Sequence, residues 1–245
     1  MDLASLLPLV AVAAAAMIAS ALAAVAGFGG AAILLPVLVW AFGVRDAVPI
    51  LTVVQLVGNL SRVVFNRHQL VLPVVGWFSL GAVPLAVVGG LLFASAPAPF
   101  LSRLLGVFFL AIVAYRHTSF GRRARLGLRG FAPLGATAGL ISALVGTVGP
   151  FVAPFFLSYG LVKGAYIGTE ALTAVVMHVV KLVVYGGAGV LSLPALLVGL
   201  PIGILMLLGT YVGTRLLDQV PSRLFPLLIE GVLIVSGLQL LLSFR

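Results

Sequence analysis

Charge is what this chain has least of. Only 8% of its residues are charged, against about a quarter in an ordinary soluble domain. That excludes a soluble globular surface. Acidic residues are the scarcest, with five Asp and Glu against 14 Lys and Arg. Cysteine is missing altogether, which excludes disulfides, thiolate metal sites and a cysteine nucleophile. Long polar stretches are also missing. The longest runs from Arg116 to Gly130, too short for a separate soluble domain. His68, His117 and His178 are dispersed, and no nucleophile–base pair or ligand cluster stands out. The expectation is no metal, no cofactor and no enzyme active site.

What is abundant is apolar residue, 62% of the chain, in long runs with short polar joints. Such runs form helices in a bilayer, because lipid offers the backbone no hydrogen-bond partner. We therefore expect an all-α integral membrane protein, one transmembrane domain over residues 1–245. The first run has no basic segment before it, only Asp2, so it reads as a retained helix, not a signal peptide. The net charge of +9 could suggest nucleic acid. The densest basic run, "GRRARLGLR" from Gly121 to Arg129, lies between membrane helices, so it reads instead as a cytoplasmic loop under the positive-inside rule. The bilayer is a partner; nucleic acid is not.

The two halves resemble each other at an offset of 119 residues. Gly27 and Gly30 fall on Gly146 and Gly149, and Asn59 and Arg62 fall on His178 and Lys181. Repeat 1 covers about 1–116, the basic linker about 117–130, and repeat 2 about 131–245. Each repeat reads as about five helical segments. Those after the glycine clusters, Gly30–Phe42 and Pro150–Tyr159, are too short for the ~20 residues of a full crossing. They read as broken or re-entrant helices. Parallel repeats remain an alternative, but inverted repeats gather more Lys and Arg on one side of the membrane. That topology puts linker 116–130 in the cytoplasm and both termini outside.

Breaking a helix at its own middle needs a reason. "GFGGAA" (Gly27 to Ala32) fits a dinucleotide fingerprint, but that fingerprint needs a strand before it and an α/β unit around it. A broken membrane helix offers another use. Its N-terminus presents free N–H groups and partial positive charge. Two such breaks meeting near the midplane could cradle an anion. The alternative is that the glycines only allow close packing. The candidate backbone wall is Gly27, Gly29, Gly30, Gly146, Gly149 and Pro150. The long segment after each break carries polar faces: Thr52, Gln55 and Asn59 in repeat 1, and Thr169, Thr173, His178 and Lys181 in repeat 2. Steps of three, four and seven put Glu170, Thr173, Met177 and Lys181 near one helix face. Intramembrane ionisable groups are functional candidates, so Glu170, His178, Glu230 and Arg62 are candidates for proton coupling or charge pairing. Glu170 could pair with Lys163. Arg62 could instead snorkel, and His178 or Glu230 could serve packing. "GATAG" (Gly135 to Gly139) and "GTYVG" (Gly209 to Gly213) mark close helix contacts, within the chain or in a homodimer.

These residues resemble the sulfite exporter TauE/SafE family of small bacterial membrane transporters. The resemblance runs over nearly the whole chain. It is carried by "AGFGGAAILLPVLVWAFGV" with "AVPILTVVQLVGN", and again by "GLISALVGTVGPFVAPFFL" with "AYIGTEALTAVV". A glycine cluster, an apolar stretch, a proline and an Ala-plus-Thr helix start occur twice. Ala31 stands where the family often has a third glycine, and Val53 and Glu170 stand where members often have serine. The resemblance implies a secondary transporter of the bacterial inner membrane. It would move sulfite, thiosulfate or an organosulfonate, usually as export, by alternating access and with a proton or cation as candidate coupling ion. An anion channel, a non-transporting scaffold and a membrane enzyme are the alternatives.

Overall fold

A computed structural model describes residues 3–26, 30–118, 126–216 and 224–242. Among these residues the structure is all helical. The α-helices are α1 (Leu3–Ala26), α2 (Gly30–Phe65), α3 (Leu72–Ser95), α4 (Ala98–His117), α5 (Phe131–Val145), α6 (Gly149–Ser158), α7 (Lys163–Gly187), α8 (Leu193–Leu216) and α9 (Leu224–Leu242). Short 3-10 turns precede α3 and α5. Among the described residues five helices are long and apolar enough to cross a membrane. Large apolar side chains such as Phe65, Val183 and Leu238 face outward, as expected where the surrounding solvent is lipid.

The helix limits lie close to those expected. Gly30–Phe42 and the segment after it are two helical arms under one label, α2, and they meet at Gly43, where the backbone leaves the helix at φ 76° and ψ 161°. Glycine alone enters that region without penalty.

The break at Gly43 is a fold-back. Gly30 and Asn59 line one small cavity. A straight helix would hold them ~44 Å apart at 1.5 Å per residue. The arms of α2 therefore form a hairpin with Gly43 at its tip. Gly149 at the start of α6 and His178 on α7 share that same cavity, so α6 and α7 make a second hairpin. Its tip holds Gly160 at φ 103° and Lys163 at φ 50°.

The pairing of helices crosses between the halves of the chain. α3 lies on α5, α1 on α8, α2 on α7 and α8, α3 on α7, and α4 on α9. The α3–α5 seam is closest. A Cβ on Gly135 would overlap the carbonyl of Phe78, one on Gly139 that of Ala82, and one on Gly81 that of Ala132. At the α1–α8 seam a Cβ on Gly209 would overlap Ser20. The glycines of "GATAG" and the first of "GTYVG" are thus taken up inside the chain. These three glycines are therefore occupied by contacts within the chain.

Two of the pairs run antiparallel. The end of α2 at Asn66 lies against the start of α7 at Gly164 and Gly168. On α4 and α9, Gly106 meets Gly237 and Leu241, while His117 meets Glu230. Arg62 and Glu170 therefore sit at one end of the α2–α7 pair, and Lys181 at the other.

Candidate functional site

Two helix starts and two long helices enclose a cavity of about 50 Å³. By the rule that a water needs ~10–15 Å³ of such space, it has room for roughly four water-sized groups. Gly30 and Ala31 contribute the first turn of α2. Thr147, Val148 and Gly149 contribute the start of α6. Both first turns hold N–H groups with no partner inside their helix. On α6 the first bonded amides are those of Phe151 and Val152, which donate to Val148 O at 2.9 and 3.2 Å. Both helix dipoles direct positive potential at the cavity.

The polar side chains come from α2 and α7. Gln55, Asn59 and Arg62 line one side. Asn59 Nδ2 donates to Gln55 Oε1 at 3.4 Å. Arg62 is half-buried and donates no side-chain hydrogen bond to a described residue. Glu170, Ala174, Met177 and His178 line the other side. His178 is 5% exposed, and its Nδ1 has no hydrogen-bond partner among the described residues. A buried polar atom left unpaired is costly, about 1–3 kcal/mol. One directed at a cavity is a natural point for a ligand or water. Glu170 shares the cavity with Arg62, and no described salt bridge joins it to Lys163.

Several expected residues stand elsewhere. Thr52 is buried and donates to Val48 O at 2.8 Å. Thr173 donates to Glu170 O at 2.7 Å. Thr169 accepts the Val71 N–H at 3.0 Å and so secures the start of α3. Pro150 is buried in the first turn of α6, one residue past the lining. Glu230 pairs with His117 at 3.2 Å on the α4–α9 seam, away from the cavity. Gly27, Gly29 and the linker residues Arg122, Arg123 and Arg125 lie outside the described residues.

Lys181 is the largest displacement from expectation. It is on the cavity face of α7 by angle, but ~16 Å along the axis from Glu170. There it is fully buried. Its Nζ donates to Ser142 Oγ at 3.1 Å, Ser142 O at 3.3 Å and Gly146 O at 3.4 Å. Ser142 O also accepts the capping Gly146 N–H at 2.9 Å, so Lys181 adds a second donor at the C-terminal end of α5, where cations are favoured. Ser142, Thr147 and Ala174 are lining residues that the sequence reading missed. The signal was available for two of them, since Ser142 and Thr147 flank the second glycine break.

The family model of the sulfite exporter TauE/SafE matches residues 12–240, nearly the whole chain. The chain belongs to the TauE/SafE family. Membership makes it a multi-pass membrane transporter of sulfur-containing anions. No curated protein and no solved structure shows significant similarity to it. For a TauE/SafE member, a cavity walled by two helix N-termini and an arginine is chemically apt. Both supply donors and positive potential, which an oxyanion requires.

Proposed function

We propose that the chain is a secondary transporter that exports a small sulfur oxyanion, sulfite first, across the bacterial inner membrane by alternating access. The observation that carries this reading is the meeting of the two helix starts, Gly30–Ala31 and Val148–Gly149, at one cavity with Arg62. The anion would take hydrogen bonds from these backbones, from Gln55, Asn59 and His178, and charge from Arg62. The expected binding set thereby narrows: Thr52, Thr169, Thr173 and Lys181 support the walls.

Glu170 is the proposed coupling group. A carboxylate beside an anion repels it, so Glu170 would take a proton as the anion binds and release it with the anion. An inverted relation of the two repeats is supported by packing. The repeat-equivalent pairs, α2 with α7 and α4 with α9, run antiparallel, and α3–α5 exchanges with α8–α1. Under the positive-inside rule the Arg62 end faces the cytoplasm together with the linker, and both termini lie outside.

The test is flux in proteoliposomes with sulfite, thiosulfate, sulfate, taurine and sulfoacetate, with and without a pH gradient. Saturable sulfite flux that is trans-stimulated and driven by the gradient is expected. Linear flux without counterflow would replace the transporter by a channel. A chemically altered product would indicate an enzyme.

A further inference from the structure

The cavity is closed at one end by a set of groups that no binding role explains. Beyond Gly146, Leu35, Val48 and Leu51 are fully buried, and they are the side chains that a Cβ on Gly146 would meet. Lys181 lies behind the same glycine, bound to its carbonyl and to Ser142. Gly146 and Ser142 are also cavity lining. One thin layer of backbone therefore separates the cavity from a buried ammonium. Among the described residues no carboxylate forms an ion pair with Lys181. Among the described residues it donates to Ser142 O, Gly146 O and the Ser142 hydroxyl. Tyr185, a turn further on, donates to Ala143 O in the same last turn. α7 thus grips the end of α5 through two side chains.

We infer that Lys181 is a latch: bound to α5, it keeps the cavity shut at its own end, and its release opens that end as the Arg62 end closes. This rests on the transport reading. A buried ammonium is expensive unless hydrogen-bonded, and a cation at a helix C-terminus is favoured. The latch is consequently stable when closed. It also has a low-cost alternative, because an ammonium released into a water-filled opening regains hydration. Apolar side chains in its place would seal the end permanently.

The absence of cysteine makes the test direct. Val48→Cys reports the Lys181 end, and Ala174→Cys reports the cavity. The purified full-length protein is labelled with a charged maleimide, with Lys181 present or replaced by Met. The expected result is opposite changes: labelling of Val48→Cys rises about tenfold and that of Ala174→Cys falls, as a shift between two states requires. A purely structural cap would loosen the wall and raise both rates, or change neither. Either outcome overturns the latch. Should Lys181→Met fail to fold, Ser142→Ala removes one acceptor and leaves the ammonium. The same opposite changes, smaller in size, are then expected, and parallel or absent changes overturn it. Labelling needs no substrate. Failure of sulfite flux would therefore count against the transport reading alone, and parallel labelling changes against the latch alone.

Discussion

Arg62 and Lys181 coincide when the two halves are laid over each other at 119 residues, yet they live differently. Arg62 is half-buried, lines the cavity and donates to no described residue. Lys181 is fully buried and spends its donors on carbonyls. Glu170 accompanies Arg62, whereas the position equivalent to Glu170 in repeat 1 is Leu51, one of the sealing side chains. Positions equivalent at an offset of 119 thus sit at unlike ends, one polar and lining the cavity, the other packed and closed. The residue types suit the difference. A guanidinium holds a planar fork toward an oxyanion, while an ammonium is a compact charge that can be packed away.

That contrast can be broken from either side. Arg62→Gln should have the largest effect. Hydrogen bonds to a charged group contribute about 1.5–3 kcal/mol, so sulfite flux at low substrate should fall by about 10- to 100-fold in proteoliposomes. Arg62→Lys, which keeps the charge but not the fork, should restore only part of it. Glu170→Gln removes the carboxylate that lines the cavity with Arg62. Counterflow of sulfite should survive while stimulation by a pH gradient disappears; a gradient response equal to that of the parent would remove Glu170 from coupling. Gly139→Ala presses α5 off α3 without touching either cation. Overpacking of this kind costs about 1–3 kcal/mol, visible as a lower melting temperature in detergent. Asn59→Ala should be mildest, a loss of severalfold in apparent sulfite affinity, matching about 0.5–1.5 kcal/mol for one neutral hydrogen bond.

Much of this was readable in advance because lipid imposes simple rules. The apolar runs gave the helices, and the paired glycine clusters gave two breaks. Distance along a helix axis was harder. Periodicity places Lys181 at the right angle on α7, but angle does not say what covers a side chain at a given depth. That depends on where α5 ends, which Gly146 sets from another element at φ 86°. The same limit holds along the face of α7: Glu170, Met177 and the candidate His178 line the cavity together with Ala174, whereas Thr173 and Lys181 do not. The boundary after Phe42 was legible from segment length, but a lone glycine does not say that Gly43 turns the chain back on itself. No described salt bridge joins Glu170 to Lys163, two turns earlier on the same helix. The hairpins bring Arg62 to Glu170 from a helix remote in sequence.

The glycine seam between α3 and α5 has a kinematic consequence. Where backbone touches backbone, as at Gly135 and Phe78 or Gly139 and Ala82, the two helices have no side-chain cushion through which to slide. They share one set of rigid-body coordinates. But α3 comes from the first half of the chain and α5 from the second. Whatever displacement carries the anion must be divided along lines that cut across the duplication: α3 travels with α5, and each half of the chain is left straddling the joint.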